Sequence, residues 1–451
     1  MIVCKFGGTS VASADAIART VSIIAARRDR HPVVVVSALG GTTNALLGIA
    51  HGAAGGDLDS ALDGVRSLRD RHRDTASTLL QGYASHDEVQ HAIAVAFDEL
   101  AQLADALYTL GFVTPRSLDA IAAIGERLSS QIVAAACAAQ GLQAHWVDAE
   151  RVITTDDRFT RAEPRLAEIE HNVQQFIAPL VAQGGIPVLG GFVGSTDSGM
   201  TTTLGRGGSD FSAALLGAAL RAESIEIWTD VDGMLTADPR IVPSAQLIDR
   251  IRFDEASELA AFGAKVLHPS TIAPAVQAGI PVFVFNSMRP QGSGTMIAAD
   301  APRHAVRAIA GKRRTTLVRL RSAHMLLAHG FLRSVFDVFA RHRTSVDVVT
   351  TSEVSISVTL DDTERLDLVT EELAAFGEVT VQRECGVVAI VGAGIADSAR
   401  PLAIALTALG DCRVHMSSLS ATGINLTLVV DDAEVVPAMK RLHAAFFEDA
   451  A

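Results

Sequence analysis

Residues 2–6, apolar but for Lys5, read as a short strand, and the turn Gly7-Gly8-Thr9-Ser10 separates it from an alanine-rich amphipathic stretch over 14–27. The same order returns at once. The β-branched run 33–37 ends in Gly40-Gly41-Thr42-Thr43-Asn44 ahead of another helical stretch, and an unbroken run of this kind suits a strand buried on both faces. Over 57–110 the apolar positions Leu58, Leu62, Val65 and Leu68 stand three or four apart, the spacing of one helix face. Strand-like runs recur at 144–147, 186–190, 225–229 and 282–285 with helical stretches between them. Strand and helix in alternation predict an α/β domain with a largely parallel sheet over 1–290.

The pattern changes near residue 290. Pro290, Gly292, Gly294 and Pro302 punctuate the segment that ends in Gly311-Lys312-Arg313-Arg314, which reads as a linker over 291–313. Beyond it the expected elements are short: strand 317–320, helix 331–341, strands 345–350 and 355–360, helix 366–376 and strand 379–382. A second set follows, with strand 387–391, helix 399–409, strands 413–416 and 425–430, and helix 434–446. Both sets have a βαββα order, so 314–384 and 385–451 read as tandem copies of one small module, a paired regulatory region. The C-terminal end is available to complete the first copy.

Length and composition narrow the function. A chain of 451 residues exceeds what one core usually fills. With 49% apolar and 20% charged residues it has a globular composition. The net charge of −13 excludes non-specific nucleic-acid binding, which needs a basic face to displace counterions. A phosphate ligand must instead be held by a local group of cations and backbone amides. No stretch approaches the roughly 18 apolar residues of a membrane span, and the start MIVCKFGG lacks a charged segment ahead of an apolar one, so the expected location is cytoplasmic. Cys4, Cys137, Cys385 and Cys412 are scattered singly, and we read them as buried thiols rather than metal ligands or disulfide partners.

Three glycine-rich turns follow expected strands: Lys5 to Ser10, Ser37 to Thr42, and Leu204-Gly205-Arg206-Gly207-Gly208-Ser209-Asp210. Glycine lets backbone N–H groups approach an anion, and a helix starting there adds its positive end. Three such turns at the ends of one sheet would cradle a polyphosphate, although a glycine turn alone is more often plain punctuation. The phosphate-loop pattern Gly-x4-Gly-Lys-Ser/Thr is absent. Phosphoryl transfer needs cations on the migrating group, and Lys5 and Lys265 are the candidates; Lys265 also reads as a surface lysine at a helix end. The run Trp228-Thr229-Asp230-Val231-Asp232-Gly233 leaves a strand and reaches Asp238-Pro239-Arg240. Its acids could orient a nucleotide or its metal, but Asp-Gly is also a common turn signal, and composition leaves both open.

Lys5-Phe6-Gly7-Gly8-Thr9-Ser10 together with the run from Thr201 to Asp210 resembles the signature pair of aspartate kinases. Trp228-Thr229-Asp230-Val231 and Phe262-Gly263-Ala264-Lys265-Val266-Leu267-His268-Pro269 fit the same family, and the resemblance covers essentially the whole chain, most of all to single-function, lysine-inhibited members. It implies an amino-acid-kinase fold with a largely parallel central sheet, followed by two ACT domains of ferredoxin-like βαββαβ form. It also implies transfer of the ATP γ-phosphoryl group to the side-chain carboxylate of L-aspartate, with ATP and Mg2+ required. By the same resemblance Lys5 and Asp210 are catalytic, Lys5 neutralising the transferring group and Asp210 organising Lys5 and the magnesium. Arg206 would pair bidentately with the α-carboxylate of aspartate, Glu126 would hold its ammonium, and Thr42 and Ser209 would complete that site. Gly7, Gly8, Ser10, Thr229, Asp230, Arg240 and Lys265 would line the ATP site, with no direct protein ligation of the metal assigned. Leu235 stands where relatives often carry tyrosine, which puts nucleotide affinity in question but not the reaction.

In the regulatory half the resemblance implies a lysine site made by Met325, Gly330, Phe331, Leu332, Ser345, Val346, Asp347, Ser352 and Glu353. Asp347 and Glu353 would receive its ammonium groups, and amides near Gly330 and Phe331 its carboxylate. Ala328 replaces a serine common in lysine-sensitive relatives, removing a hydrogen bond worth about 0.5 to 1.5 kcal/mol. A homodimer or homotetramer formed through the ACT domains is expected. Two other readings share the phosphate turns: a related kinase acting on glutamate, acetylglutamate or a nucleoside monophosphate, and an inactive amino-acid sensor. The first gives no reason for Glu126 together with Arg206, and the second predicts loss of Lys5 or Asp210.

Overall fold

The computed structural model describes residues 1–263 and 269–448, in two compact units. The first comprises Met1–Met234 with Leu267–Ala299, the second Leu235–Val266 with Asp300–Ala451.

In the first unit, β1 (Ile2–Phe6), α1 (Ala14–Ala25) and β2 (Pro32–Val36) are followed by four long helices: α2 (Thr42–Ala54), α3 (Leu58–Leu80), α4 (Ser85–Leu110) and α5 (Pro115–Ala139). Then come β3 (Ala144–Trp146), α6 (Leu166–Phe176), α7 (Ala178–Ala182), β4 (Ile186–Gly190), the hairpin β5 (Val193–Ser195) and β6 (Thr201–Thr203), α8 (Gly208–Leu220) and β7 (Ile225–Thr229). After β8 (Arg250–Ile251) and α9 (Phe253–Ala261), which belong to the second unit, α10 (Ala273–Gln277), β9 (Val282–Asn286) and β10 (Thr295–Ile297) complete the first. The sheet runs β3-β4-β2-β1-β7-β9-β10 and is parallel except for β10. All five residues of β1, β2 and β4 are buried, Lys5 of β1 included. The chain goes from β1 to one side of the sheet and later returns to the other with β7. That reversal opens a crevice at the strands' carboxyl ends, where open α/β sheets bind ligands. The continuous helical stretch expected over 57–110 is broken at residues 81–84, and the β5–β6 hairpin is additional to the expected elements.

The second unit holds an antiparallel six-stranded sheet. Its strands are β11 (Ala308–Arg321), β12 (Val349–Thr351), β13 (Ser355–Leu360), β14 (Glu378–Val391), β15 (Val414–Leu419) and β16 (Asn425–Asp431), in the order β12-β13-β11-β14-β16-β15. Two of them are 14 residues long and serve both modules. Thr316–Arg321 pairs with β13 and the first half of β14, whereas Ala308–Lys312 pairs with Val387–Val391. Helices α11 (Phe331–Arg341) and α12 (Leu366–Leu373) share one core with Val318 and Leu320. Helices α13 (Arg400–Leu409) and α14 (Val435–His443) share another with Ile309, Val388 and Ile390.

The modules are therefore interleaved rather than strung in tandem. The expected linker over 291–313 contains β10 and ends inside β11. The completing strand comes from ahead of the first module and serves the second, while α14 stays in the second module's core. The charged run Lys312-Arg313-Arg314 hid this strand, because Lys312 pairs with Val387 while the exposed Arg313 and Arg314 fall in the register shift before Thr315. Left-handed Arg314 and Glu384 (φ 61° and 57°) flank a register shift at the joint. Residues 235–263, expected in the first domain, are tied into the second unit instead. Ile309 N donates to Thr236 O at 2.8 Å, Thr236 Oγ1 and His443 Nε2 lie 2.9 Å apart, and Ala393 N donates to Glu255 Oε1 at 2.8 Å. Of the four thiols, Cys412 is only half-buried.

Candidate active site

Each arm of the site sits where a buried strand or helix meets a glycine turn. The turns after β1 and β2 press backbone to backbone: a Cβ on Gly8 would lie 3.3 Å from Ala38 O, and one on Gly40 3.2 Å from Gly8 O. The third turn leads into α8 through Gly205 and Gly207, both left-handed (φ 77° and 72°). Gly207 caps α8 without a side-chain hydrogen bond, so the helix start is open to an anion. The three turns border one cavity of about 980 Å³, whose walls include Lys5, Gly8, Glu126, Arg206, Ser209 and Asp210.

Lys5 Nζ lies 2.7 Å from Asp210 Oδ1, and only 10% and 13% of these side chains are exposed. A shielded ion pair holds the Lys5 side chain in one direction. Ser37 Oγ donates to Ser209 Oγ at 3.1 Å, joining the second turn to the start of α8. Arg206 is exposed at the rim, with no ion pair among the described residues.

Helix α5 starts at a capping box made by Thr114 and Ser117, with Pro115 at its first position. It passes so close to the second turn that a Cβ on Gly125 would stand 2.8 Å from Ala38 Cβ, and one on Gly190 would stand 2.9 Å from Glu126 O. This packing leaves Glu126 3% exposed. Burial pushes its carboxyl up to about 8, against the opposing pull of backbone N–H groups including that of Ala38. Its Oε2 has no hydrogen-bond partner among the described residues. An unpaired buried carboxyl oxygen on a cavity wall suits a cationic ligand group.

Other expected residues stand further back. Thr42 is buried with Oγ1 unpartnered among the described residues, and it is Thr43 and Asn44 that line the cavity. Gly7 backs the Lys5 ammonium, since a Cβ placed there would stand 3.6 Å from Lys5 Nζ. Ser10 turns inward, its Oγ 3.2 Å from Trp228 O and 2.8 Å from Ser287 Oγ. Thr229 and Asp230 end β7, with Thr229 Oγ1 donating to Asp230 Oδ1 at 3.2 Å, and neither lines the cavity. Arg240 belongs to the second unit, where it is exposed and bonded to Asp238. Lys265 lies outside the described residues. Among the wall residues that are not sequence candidates are Asp119 and Phe192. Asp119 could have been suspected from its place seven residues before Glu126, on the same helix face. Phe192 adopts φ 69°, which the sequence does not announce.

In the second unit, Gly330 (φ 80°) caps α11 at Phe331, whose ring meets that of Phe376 edge-on at 6.0 Å. Met325 and Val346 pack against the first module's core, while Leu332, Ser345, Asp347, Ser352 and Glu353 are exposed or half-exposed. Ser352 and Ser355 share a hydroxyl hydrogen bond at 2.7 Å. The Asp347 carboxylate faces an internal cation: Lys312 Nζ lies 3.5 Å away and is also paired with Asp361.

Residues 1–286 match the model of the amino acid kinase family. The lysine-sensitive aspartokinase 3 of Escherichia coli is 36% identical over 99% of both chains, and the chloroplastic aspartokinase 3 of Arabidopsis thaliana is 37% identical over 99% of this chain and 81% of its own. The structure of the E. coli aspartokinase III in complex with aspartate and ADP (R-state) superposes with a TM-score of 0.84 at 36% identity, over 99% of this chain and 100% of that one. With the sheet, the three turns and the second unit's antiparallel modules all in place, the chain belongs to the amino acid kinase family and, within it, to the aspartokinases.

Proposed function

We propose that the enzyme transfers the γ-phosphoryl group of ATP to the β-carboxylate of L-aspartate, giving 4-phospho-L-aspartate and ADP, and that lysine inhibits it. The observation that carries this reading is a cavity lined by a shielded Lys5–Asp210 pair, a buried Glu126 whose Oε2 lacks a partner among the described residues, and Arg206, which has no ion pair among them. The E. coli relative has been captured with aspartate and ADP and, separately, with lysine and aspartate.

Glu126 takes the substrate's ammonium and Arg206 its α-carboxylate, so the β-carboxylate points toward the glycine turns. An oxygen of that carboxylate attacks the γ-phosphorus as the bond to the ADP oxygen breaks. Lys5 stabilises charge on the equatorial oxygens, with Asp210 holding it in place. Gly7, Gly8 and the start of α8 receive phosphate oxygens, Ser10 braces the first turn, and Thr229 and Asp230 contribute at the end of β7. Thr42 and Ser209 border the aspartate end. No group of three or more metal-ligating side chains gathers among the described residues. One carboxylate, Asp210, beside the turns suits a magnesium ion that arrives on the triphosphate. Bound there, magnesium would neutralise the β- and γ-oxygens.

In the second unit, Asp347 and Glu353 would receive the effector's ammonium groups and the amides at the start of α11 its carboxylate. Met325, Leu332, Ser345, Val346 and Ser352 would form the surround, with ACT-mediated dimers or tetramers carrying the response. A hydroxamate assay for acyl phosphate tests the catalytic reading. Aspartate with MgATP gives product, while succinate, which lacks the amine and would leave Glu126 unpaired, gives almost none. Equal kcat/KM for the two acids would refute the assignment of Glu126, and activity in excess chelator would refute the magnesium requirement.

A further inference from the structure

Asp119 lies on α5 with 1% of its surface exposed, yet no cation among the described residues partners it. Its carboxylate accepts three hydrogen bonds instead. Oδ2 takes the backbone N–H of Thr160 at 2.8 Å and that of Thr203 at 3.0 Å, and Oδ1 takes the Thr203 hydroxyl at 2.6 Å. Burial pushes the Asp119 carboxyl up from its ordinary range, and these three hydrogen bonds pull the other way.

The position of those donors gives the arrangement its meaning. Thr203 ends β6 and is followed within three residues by Arg206. Thr160 is left-handed (φ 71°), and its carbonyl backs the turn, 3.1 Å from where a Cβ on Gly205 would stand. Ala162 N donates to Thr203 O at 2.9 Å, closing the same knot. On the helix side, Asp119 shares a face with Glu126, two turns further along and about 10 Å away. One carboxylate thus joins the helix that carries the ammonium-binding group to the loop that carries the carboxylate-binding group.

We infer that Asp119 is a positioning residue for aspartate recognition: it fixes the distance between Glu126 and Arg206, and so selects an amino acid whose ammonium and α-carboxylate span that gap. The inference rests on the roles given to Glu126 and Arg206 under the proposed function. Asp119 also lines the cavity, but its oxygens are spent on the loop. It acts on the substrate through Arg206.

The test is steady-state kinetics of the full-length enzyme with aspartate and MgATP varied separately. Asp119→Asn keeps the shape but removes the charge that holds the two N–H groups and the hydroxyl, and its amide nitrogen can face Thr203 only if that hydroxyl turns to accept. It raises the aspartate KM about tenfold or more while the ATP KM stays within about twofold. Thr203→Val removes only the hydroxyl contact and gives a smaller rise of the same kind, which Thr203→Ser reverses. A structural role alone would lower stability without splitting the two KM values. If Asp119→Asn fails to fold, the Thr203 pair decides the matter. Unchanged aspartate KM in the folded variants, or equal rises for both substrates, overturns the inference. Glu126→Gln and Arg206→Ala run alongside separate the two levels. If these leave the aspartate KM intact, the site assignment fails; if they raise it and the Asp119 and Thr203 variants do not, only the positioning role fails.

Discussion

Glu126 is a group whose charge depends on what occupies the cavity. Empty and buried, its carboxyl titrates near 8, so at neutral pH it is mostly protonated; an arriving ammonium favours the ionised form and expels the proton. Aspartate affinity should therefore rise with pH up to about 8 and then level off, and calorimetry at pH 7 in two buffers of different ionisation enthalpy should detect proton release. Stability carries the opposite sign. The folded chain keeps a proton that the unfolded chain, with its carboxyl near 4.5, gives up. The stability contributed by that retained proton is fully present below about 4.5 and is lost as pH rises through about 8. In thermal unfolding of the ligand-free enzyme, Glu126→Gln should lose less stability than the wild type across this window while binding aspartate far more weakly. Parallel curves would show that Glu126 is not the titrating group. Lys5→Ala should lower kcat by about 100-fold or more with ATP still bound, because the ammonium's interaction strengthens in the transition state; equal kcat by the same assay would remove Lys5 from the chemistry.

At the scale of elements, what decides the site is how closely α5 passes the turn after β2. Glycine inside a helix normally costs up to about 1 kcal/mol relative to alanine, so on helix propensity alone Gly125→Ala would stabilise. Here the added methyl would meet Ala38 Cβ at 2.8 Å and Thr42 Cγ2 at 3.2 Å. Overpacking of this kind costs about 1 to 3 kcal/mol. Gly125→Ala should lower the melting temperature and raise the aspartate KM, and a rise in melting temperature would show that the helix has room to retreat. The same element explains what the sequence could reveal. Strands β1, β2, β4, β7 and β9 were legible because each is a compact, mostly apolar run, interrupted only by Lys5 in β1 and Glu226 in β7 among charged residues, and the glycine turns because they punctuate those strands. Asp119 was not, because an acid near a helix start has the look of a solvated residue until a distant hairpin supplies its donors. The joined strands β11 and β14 were illegible for a related reason, since backbone pairing leaves no trace where side chains point to water.

At the scale of the whole molecule, the lysine site proposed above includes Asp347, which already faces Lys312. Lys312 pairs through its backbone with Val387 in the second module, while its ammonium reaches Asp347 and Asp361 in the first. A bound lysine would compete for Asp347, so Lys312→Met should tighten lysine inhibition by a few-fold, in keeping with a half-exposed ion pair worth about 0.2 to 1 kcal/mol. Asp347→Ala should desensitise the enzyme with uninhibited activity unchanged. Lysine titrations of wild type and both variants check this, and identical curves for all three would place the effector elsewhere.

The shared strand also bears on how the polypeptide is made. Ala308–Lys312 is synthesised before the first module, but its partner Val387–Val391 and the helix that covers both follow after it. While the ribosome works through the intervening residues, Ile309 and its neighbours have no second-module core to enter. The first module can close on its own contacts, whereas the second waits for the chain's end. Messages or nonsense mutations that stop translation near residue 384 would therefore yield a product with an unpaired apolar edge, prone to association. Fragments meant to express the second module should carry residues 308–312 as well as 385–448; pieces starting at 385 are expected to be insoluble, which a simple expression and sedimentation series would show.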